Sequence, residues 1–261
     1  MPMILVAQVS DTHFDLGTRN AQRVRRVMAF IAGLRRRPDA IVVTGDITDS
    51  GKPEQFAEAK AAFDSEIPIY AIPGNHDDRA GFRTALLGES ASDAPINHAH
   101  RVGDLTVALL DSSVPGQPGG QLADETYDWL GGVLDAAPAG KPILLALHHP
   151  PAHLFSPIVD VISLADPQRL ADLVAGDDRI VGVVTGHAHS AAATTFGGRP
   201  LLVAPSTASV LSGEWELDLP DHVMDYAPDP AVALHVIGDD HRLTSHFRTV
   251  PMGGRIGVQP A

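Results

Sequence analysis

The sequence predicts an α/β protein built on a covered, mixed β-sheet, and three observations carry that expectation. Apolar runs of strand length alternate with helical patterns as far as Thr185. Those runs are continuous, as expected of strands buried on both faces. After Gly197-Gly198, a hairpin signal, the chain reads as strands only, which adds an antiparallel part.

In chain order, MILVAQV (3–9) is a first strand, followed by the helical pattern of residues 20–37. It is too short for a membrane span and lacks a basic leader and a cleavage site, so a cytoplasmic protein is expected. AIVVT (40–44) precedes a helix over 53–65, and PIYAI (68–72) precedes one over 77–88. LTVALLD (105–111) is a strand, 123–135 a helix, 142–147 a strand, 167–176 a helix and 179–185 a strand. PLLVAP (200–205), AVALHVIG (231–238) and LTSHFRTV (243–250) complete the strand-only tail.

With 261 residues, 44% of them hydrophobic and 20% charged, the chain has ample material for a core, and no linker interrupts it. A single domain over residues 1–261 is expected. The formal charge of −13 argues against a nucleic-acid polymer or an anionic membrane as partner. Arg19, Arg23, Arg25, Arg26 and Arg35 to Arg37 form a local basic cluster, read as a solvated helix face. The absence of cysteine excludes disulfides and thiolate metal sites, so any metal must be held by nitrogen and oxygen.

Several strands end in such donors. SDTH brings Asp11 and His13, GDITD brings Asp46, PGNHDD brings Asn75 and His76, HHPP brings His148 and His149, and GHAH brings His187 and His189. The carboxyl edge of an α/β sheet is where ligand sites lie. Gly45, Gly74 and Gly186 stand just before donors, where a sharp turn or a close approach is useful. Asp and His at strand ends also serve as caps and satisfied core residues; it is their recurrence that favours a site. His187 and His189, two apart, would share one side of an extended segment. The donors exceed what one tetrahedral ion uses and suit two ions of Fe, Mn, Zn or Co.

The series D-x-H, G-D-x-x-D, G-N-H-D, H-H-P-P and G-H-x-H, spanning residues 11–189, resembles the calcineurin-like metallophosphoesterase superfamily. PGNHDD, DSSVPGQPGGQLADETYDWL and LHHPP resemble its bacterial branch of class III cyclic-nucleotide phosphodiesterases and glycerophosphodiesterases. The resemblance implies a four-layer αββα sandwich of two mixed sheets flanked by helices, with a dinuclear metal site at the strand ends. It implies that Asp11, His13 and His189 hold one divalent or mixed-valence ion, that Asn75, His148 and His187 hold the other, and that Asp46 bridges. His149 would stand behind the ligands. Asn75, His76 and His189 would face the substrate phosphate, with His76 as the catalytic group and Asp49 orienting it. Pro73 replaces the arginine that phosphoprotein-directed members carry before G-N-H, which disfavours that substrate class.

The expected chemistry is attack on phosphorus by a water activated between two cations. Small phosphodiesters are the expected substrates, foremost 3′,5′-cyclic nucleotides, with glycerophosphodiesters as the alternative. A scaffold without catalysis is a third reading, opposed by the complete ligand set. His98, His100, His235, His241 and His246 read as structural, and His153 as a residue that could touch substrate. The loops 150–157 and 205–230, with Leu154, Phe155, Trp215 and Tyr226, are candidates for a pocket wall; 205–230 could equally mediate homo-oligomer contact.

Overall fold

The computed structural model describes residues 3–213, 215–216 and 224–254. Strand β1 (Met3–Val9) leads to α1 (Thr18–Ala32), β2 (Ala40–Thr44) to α2 (Pro53–Ala62), and β3 (Ile69–Ile72) to the short α3 (Arg79–Phe82), which runs on as a π turn over Arg83–Leu87. β4 (His98–Val102) and β5 (Leu105–Leu110) form a hairpin, and α4 (Asp124–Ala136), β6 (Ile143–Leu147), α5 (Gln168–Gly176) and β7 (Ile180–Thr185) follow. The tail holds β8 (Ala192–Phe196), β9 (Arg199–Val203), the two-residue β10 (Val210–Leu211) and β11 (Met224–Asp225), β12 (Ala231–Gly238) and β13 (Leu243–Thr249).

Two mixed sheets result, one in the order β13-β12-β1-β2-β3, the other β4-β5-β6-β7-β9-β8. The parallel strands β1, β2 and β3 of the first and β5, β6, β7 and β9 of the second are each extended by antiparallel neighbours. Strand period 2 explains why the apolar runs are continuous. Ile41 and Val43 of β2 pack towards Val24, Val27 and Ile31 of α1, whereas Ala40 and Val42 face the other sheet. Ile143, Leu145 and Leu147 of β6 likewise meet Leu130 and Leu170 of α4 and α5, while Leu144 and Ala146 face inwards. Helices, sheet, sheet and helices therefore form four layers, as the resemblance implied. No helix among the described residues is long and apolar enough to cross a membrane.

Two expectations need correction. The helix expected over 20–37 ends at Ala32, with Gly33 at its cap, so Arg35 to Arg37 lie beyond it. Its arginines are not simply a solvated face either. Arg19 donates to the carbonyls of Ala208 and Tyr226, the buried Arg23 to those of Thr207 and Pro228, and Arg26 to those of Pro251, Gly253 and Gly254. At helical spacing these guanidiniums share one flank of α1 and tie down carbonyls that no strand satisfies.

Candidate metal centre

The strand-end loops are held together by backbone pairing before any side chain acts. Asp11, His13 and Phe14 donate their amides to the carbonyls of Gly45, Asp46 and Ile47, so the D-x-H loop runs alongside the G-D loop. Asp77 fastens the next loop, accepting from the amides of Ile47, Thr48 and Gly74 and from the Thr48 hydroxyl. Burial and the nearby Asp46 push its carboxyl up, and those amide donors oppose the shift. Asp77 is a functional residue that the motif alone does not single out; its signal is the acid directly after G-N-H. Gly74 permits the contact, since a Cβ there would sit 2.2 Å from Asp46 Oδ1 and 2.4 Å from its amide. Gly74→Ala is therefore expected to displace Asp46 and weaken metal uptake at least tenfold, the scale of a disturbed ligand support; calorimetric metal titration measures this.

Asp11, His13, Asp46, His187 and His189 all adopt left-handed backbone conformations, with φ of 52°, 42°, 47°, 69° and 55°. Such conformations are uncommon in non-glycine residues and cost about 1–3 kcal/mol each where sparsely populated. This corrects the expectation that His187 and His189 share one side of an extended segment. The turned backbone sends them to different places: His187 Nδ1 lies 3.2 Å from His148 Nε2, and His189 Nε2 lies 3.1 Å from His13 Nε2.

Two compartments follow, lined by lone pairs. In the first, His189 Nδ1 is 2.9 Å from the Ser209 hydroxyl and His13 Nδ1 is 3.5 Å from Asp49, so the Nε2 atoms of both rings turn towards Asp11 and Asp46. In the second, His148 Nδ1 donates to the Thr44 carbonyl over 2.7 Å, and its Nε2 meets Asn75 Oδ1 at 3.2 Å, His187 Nδ1 and Asp46. Asp46 Oδ2 belongs to both, at 3.6 Å from His13 Nε2 and 3.4 Å from His148 Nε2. Acceptors facing acceptors in a buried space are unfavourable unless a cation or protons sit between them. The donor set thus fits two ions with a carboxylate between them.

His149 lies close enough to His148 and His187 to be grouped with them. Both its nitrogens are committed elsewhere, Nδ1 to the Ser112 hydroxyl at 2.9 Å and Nε2 to the Pro118 carbonyl at 3.2 Å. It supports the ring of His187 from behind at 4.6 Å. Burial and the neighbouring histidines hold it well below the ordinary imidazole range.

Without metal, protons take the cation's part. Burial opposes charge on His148, but the Asp46 carboxylate outweighs it and raises the imidazole to about 9, while burial lowers His187 to about 3. The His148–Asp46 pairing therefore stabilises the metal-free fold fully below pH 6.5 and is lost as pH rises through about 9. Metal must displace that proton. Uptake near pH 7 is expected to release at least one proton per chain, read by calorimetry in buffers of different ionisation enthalpy; release of none would contradict the pairing.

His76 lies at the open rim. Its Nδ1 donates to the Asp49 carbonyl over 2.8 Å, and its ring stands edge-on to His13 at 4.8 Å between centroids. Asp49 does orient His76, but through its backbone; its carboxylate faces His13. Two clefts meet at His76. One, of about 320 Å³, is lined by His13, Arg19, His189, Met224 and Tyr226, and the other, of about 220 Å³, by Asn75, Asp78, Arg79 and Ser113 to Gly116.

Other expected contacts fall elsewhere. His153 is exposed, 3.7 Å from Asp160. Leu154 packs against the small cluster of Val159, Ala188, Val203 and Leu211, and Phe155 and Trp215 are exposed without lining either cleft. Residues 214 and 217–223 of the 205–230 segment lie outside the described residues. Ser209, which holds His189, had no signal in the sequence beyond its place in that segment.

A four-layer sandwich that gathers His, Asp and Asn at the ends of both sheets defines a metallophosphoesterase. The chain belongs to the calcineurin-like phosphoesterase family, whose model matches residues 4–191. It is 40% identical over 218 residues to a probable cyclic nucleotide phosphodiesterase of Rhodococcus erythropolis, covering 79% of this chain and 71% of that one. It is 34% identical over 220 residues to the glycerophosphodiester phosphodiesterase GpdQ of Enterobacter lignolyticus, covering 78% and 77%. A purple acid phosphatase from yellow lupin seeds superposes with a TM-score of 0.70 at 12% identity; the match takes in 95% of this chain and about half, 52%, of that one.

Proposed function

We propose that the protein is a metal-dependent phosphodiesterase of small diesters, foremost 3′,5′-cyclic nucleotides, acting as a single domain over residues 1–261. The observation that carries it is the shared carboxylate oxygen of Asp46 between two compartments of inward-facing lone pairs. Asp11, His13 and His189 would hold one ion and Asn75, His148 and His187 the other, with Asp46 available to both; Fe, Mn, Zn and Co all suit such N/O donors. Two bound ions would supply positive charge to the phosphoryl oxygens and lower the pKa of a nucleophilic water.

The protein's own part is positional. The Thr44 carbonyl, the Ser209 hydroxyl and the Asp49 carboxylate turn the imidazoles of His148, His189 and His13 inwards. His76, fixed through Nδ1, leaves Nε2 for the departing ester oxygen; as the imidazolium it would give that oxygen the Nε2 proton and become the neutral ring. The likeness to a cyclic nucleotide phosphodiesterase supports the substrate class, and the likeness to GpdQ supports glycerophosphodiesters as the second reading. A cytoplasmic location belongs to the same proposal.

The test is a comparison at one pH and one metal. The expected kcat/KM is higher for a 3′,5′-cyclic nucleotide than for a glycerophosphodiester. A clear reversal would favour the second reading, and a preference for monoesters over both would reject the phosphodiesterase assignment.

A further inference from the structure

We infer that Tyr226, held by Arg19, is the surface on which the base of a nucleotide stacks, and that it sets the preference between base-bearing and base-free substrates. The inference rests on the phosphodiesterase reading for the position of the phosphate. Its own support is the composition of the larger cleft.

That cleft is lined by two unlike sets of side chains. His13, His189 and His76 supply one, beside which a phosphate would lie; Arg19, Met224 and Tyr226 supply the other. Tyr226 is half exposed, at 55%, directly after β11. Its carbonyl accepts from Arg19 Nη2, which also reaches the Ala208 carbonyl, and the guanidinium lies over its ring at 4.8 Å from the centroid. Arg19 is itself braced by Asn20 Oδ1 at 2.8 Å, and the Asn20 side chain donates to the His13 carbonyl. The aromatic platform and a candidate metal ligand are thus tied to the same helix start. The Ser209 hydroxyl, which touches His189, also contacts Met224 Sδ at 3.4 Å. A cation against one face of the ring fixes its orientation; a nucleobase is the flat group that uses an aromatic face in this way.

The other cleft beside His76 does not offer the same. The smaller cleft presents Asp78, Arg79 and the turn from Ser113 to Gly116, with no Phe, Tyr or Trp among the described residues that line it. Arg79 is committed there to Asp111 at 2.8 Å and to the Ser113 and Asp93 carbonyls. Stacking also predicts tolerance, since every base has a π face. Purine and pyrimidine nucleotides should both bind, the purines more tightly.

The test compares adenosine 5′-monophosphate with ribose 5-phosphate by calorimetric titration of the Mn-loaded protein, a readout independent of turnover. The wild type is expected to bind the nucleotide about tenfold more tightly or better, the scale of one base–aromatic contact. Tyr226→Ala should erase that difference while leaving ribose 5-phosphate affinity within about twofold, so the sugar phosphate reports that the variant is folded; Tyr226→Phe should preserve it. Equal wild-type affinities for the two ligands, an undiminished difference in Tyr226→Ala, or binding of neither ligand would overturn the inference. Separate assay of wild-type diester hydrolysis shows whether the broader reading survives such a result.

Discussion

Asp46→Ala is expected to cost the protein at least one of its two ions and to lower turnover by about 10⁴-fold, the scale on which removal of a central catalytic group acts. The reason is electrostatic. Two divalent ions about 3.5–4 Å apart repel each other by an amount on the order of 15 kcal/mol at an effective dielectric near 20. In this fold Asp46 Oδ2 is the atom that lies within reach of histidines from both compartments. Its carboxyl is held well below the usual range by the charges of His148 and His13, which outweigh the burial that opposes them. It therefore binds as an anion at all ordinary pH. Asp46 Oδ1 also accepts from the His76 amide over 2.9 Å, so the substitution loosens the loop that carries His76 as well. Asp46→Asn separates the two effects: it keeps the side-chain shape and an acceptor for the His76 amide, while the charge and the second carboxylate oxygen are lost. Metal analysis and kcat together read the outcome, and two ions with near-normal turnover in Asp46→Ala would remove Asp46 from the bridging position.

His76→Ala is expected to lower kcat by about 10²–10⁴-fold with metal content unchanged. The side chain is exposed and stands at the rim, so its loss leaves the buried cluster intact. The loss should depend on the leaving group. A nitrophenolate departs without a proton and should show little of it, whereas the alkoxide of a sugar should show all of it. Equal, unchanged turnover on both would assign His76 to structure alone.

That these donors gather was legible in the sequence because each follows a strand, and strands buried on both faces announce themselves as unbroken apolar runs. AIVVT before Asp46 and ILLAL before His148 carry this pattern. The division of labour within the set was not legible. His187 and His189 look equivalent in G-H-A-H, and a left-handed backbone at each sends them apart. Asp49 looks like a partner for His76, yet its carbonyl takes that part and its carboxylate faces His13. Short motifs carry residue types; which atom of a residue faces which neighbour is decided by contacts distant in sequence, such as Thr44 with His148 and Ser209 with His189. The arginines of α1 were misread for the same reason. Their partners are carbonyls far along the chain, which no helical periodicity reveals.

This chain is proposed to hold two ions through one shared carboxylate. The direct measurement is the stoichiometry of Mn²⁺ binding to the metal-stripped wild-type protein, followed by calorimetry and checked by elemental analysis. The account predicts two equivalents per chain. Saturation at one equivalent, or no uptake by a folded protein, would contradict it.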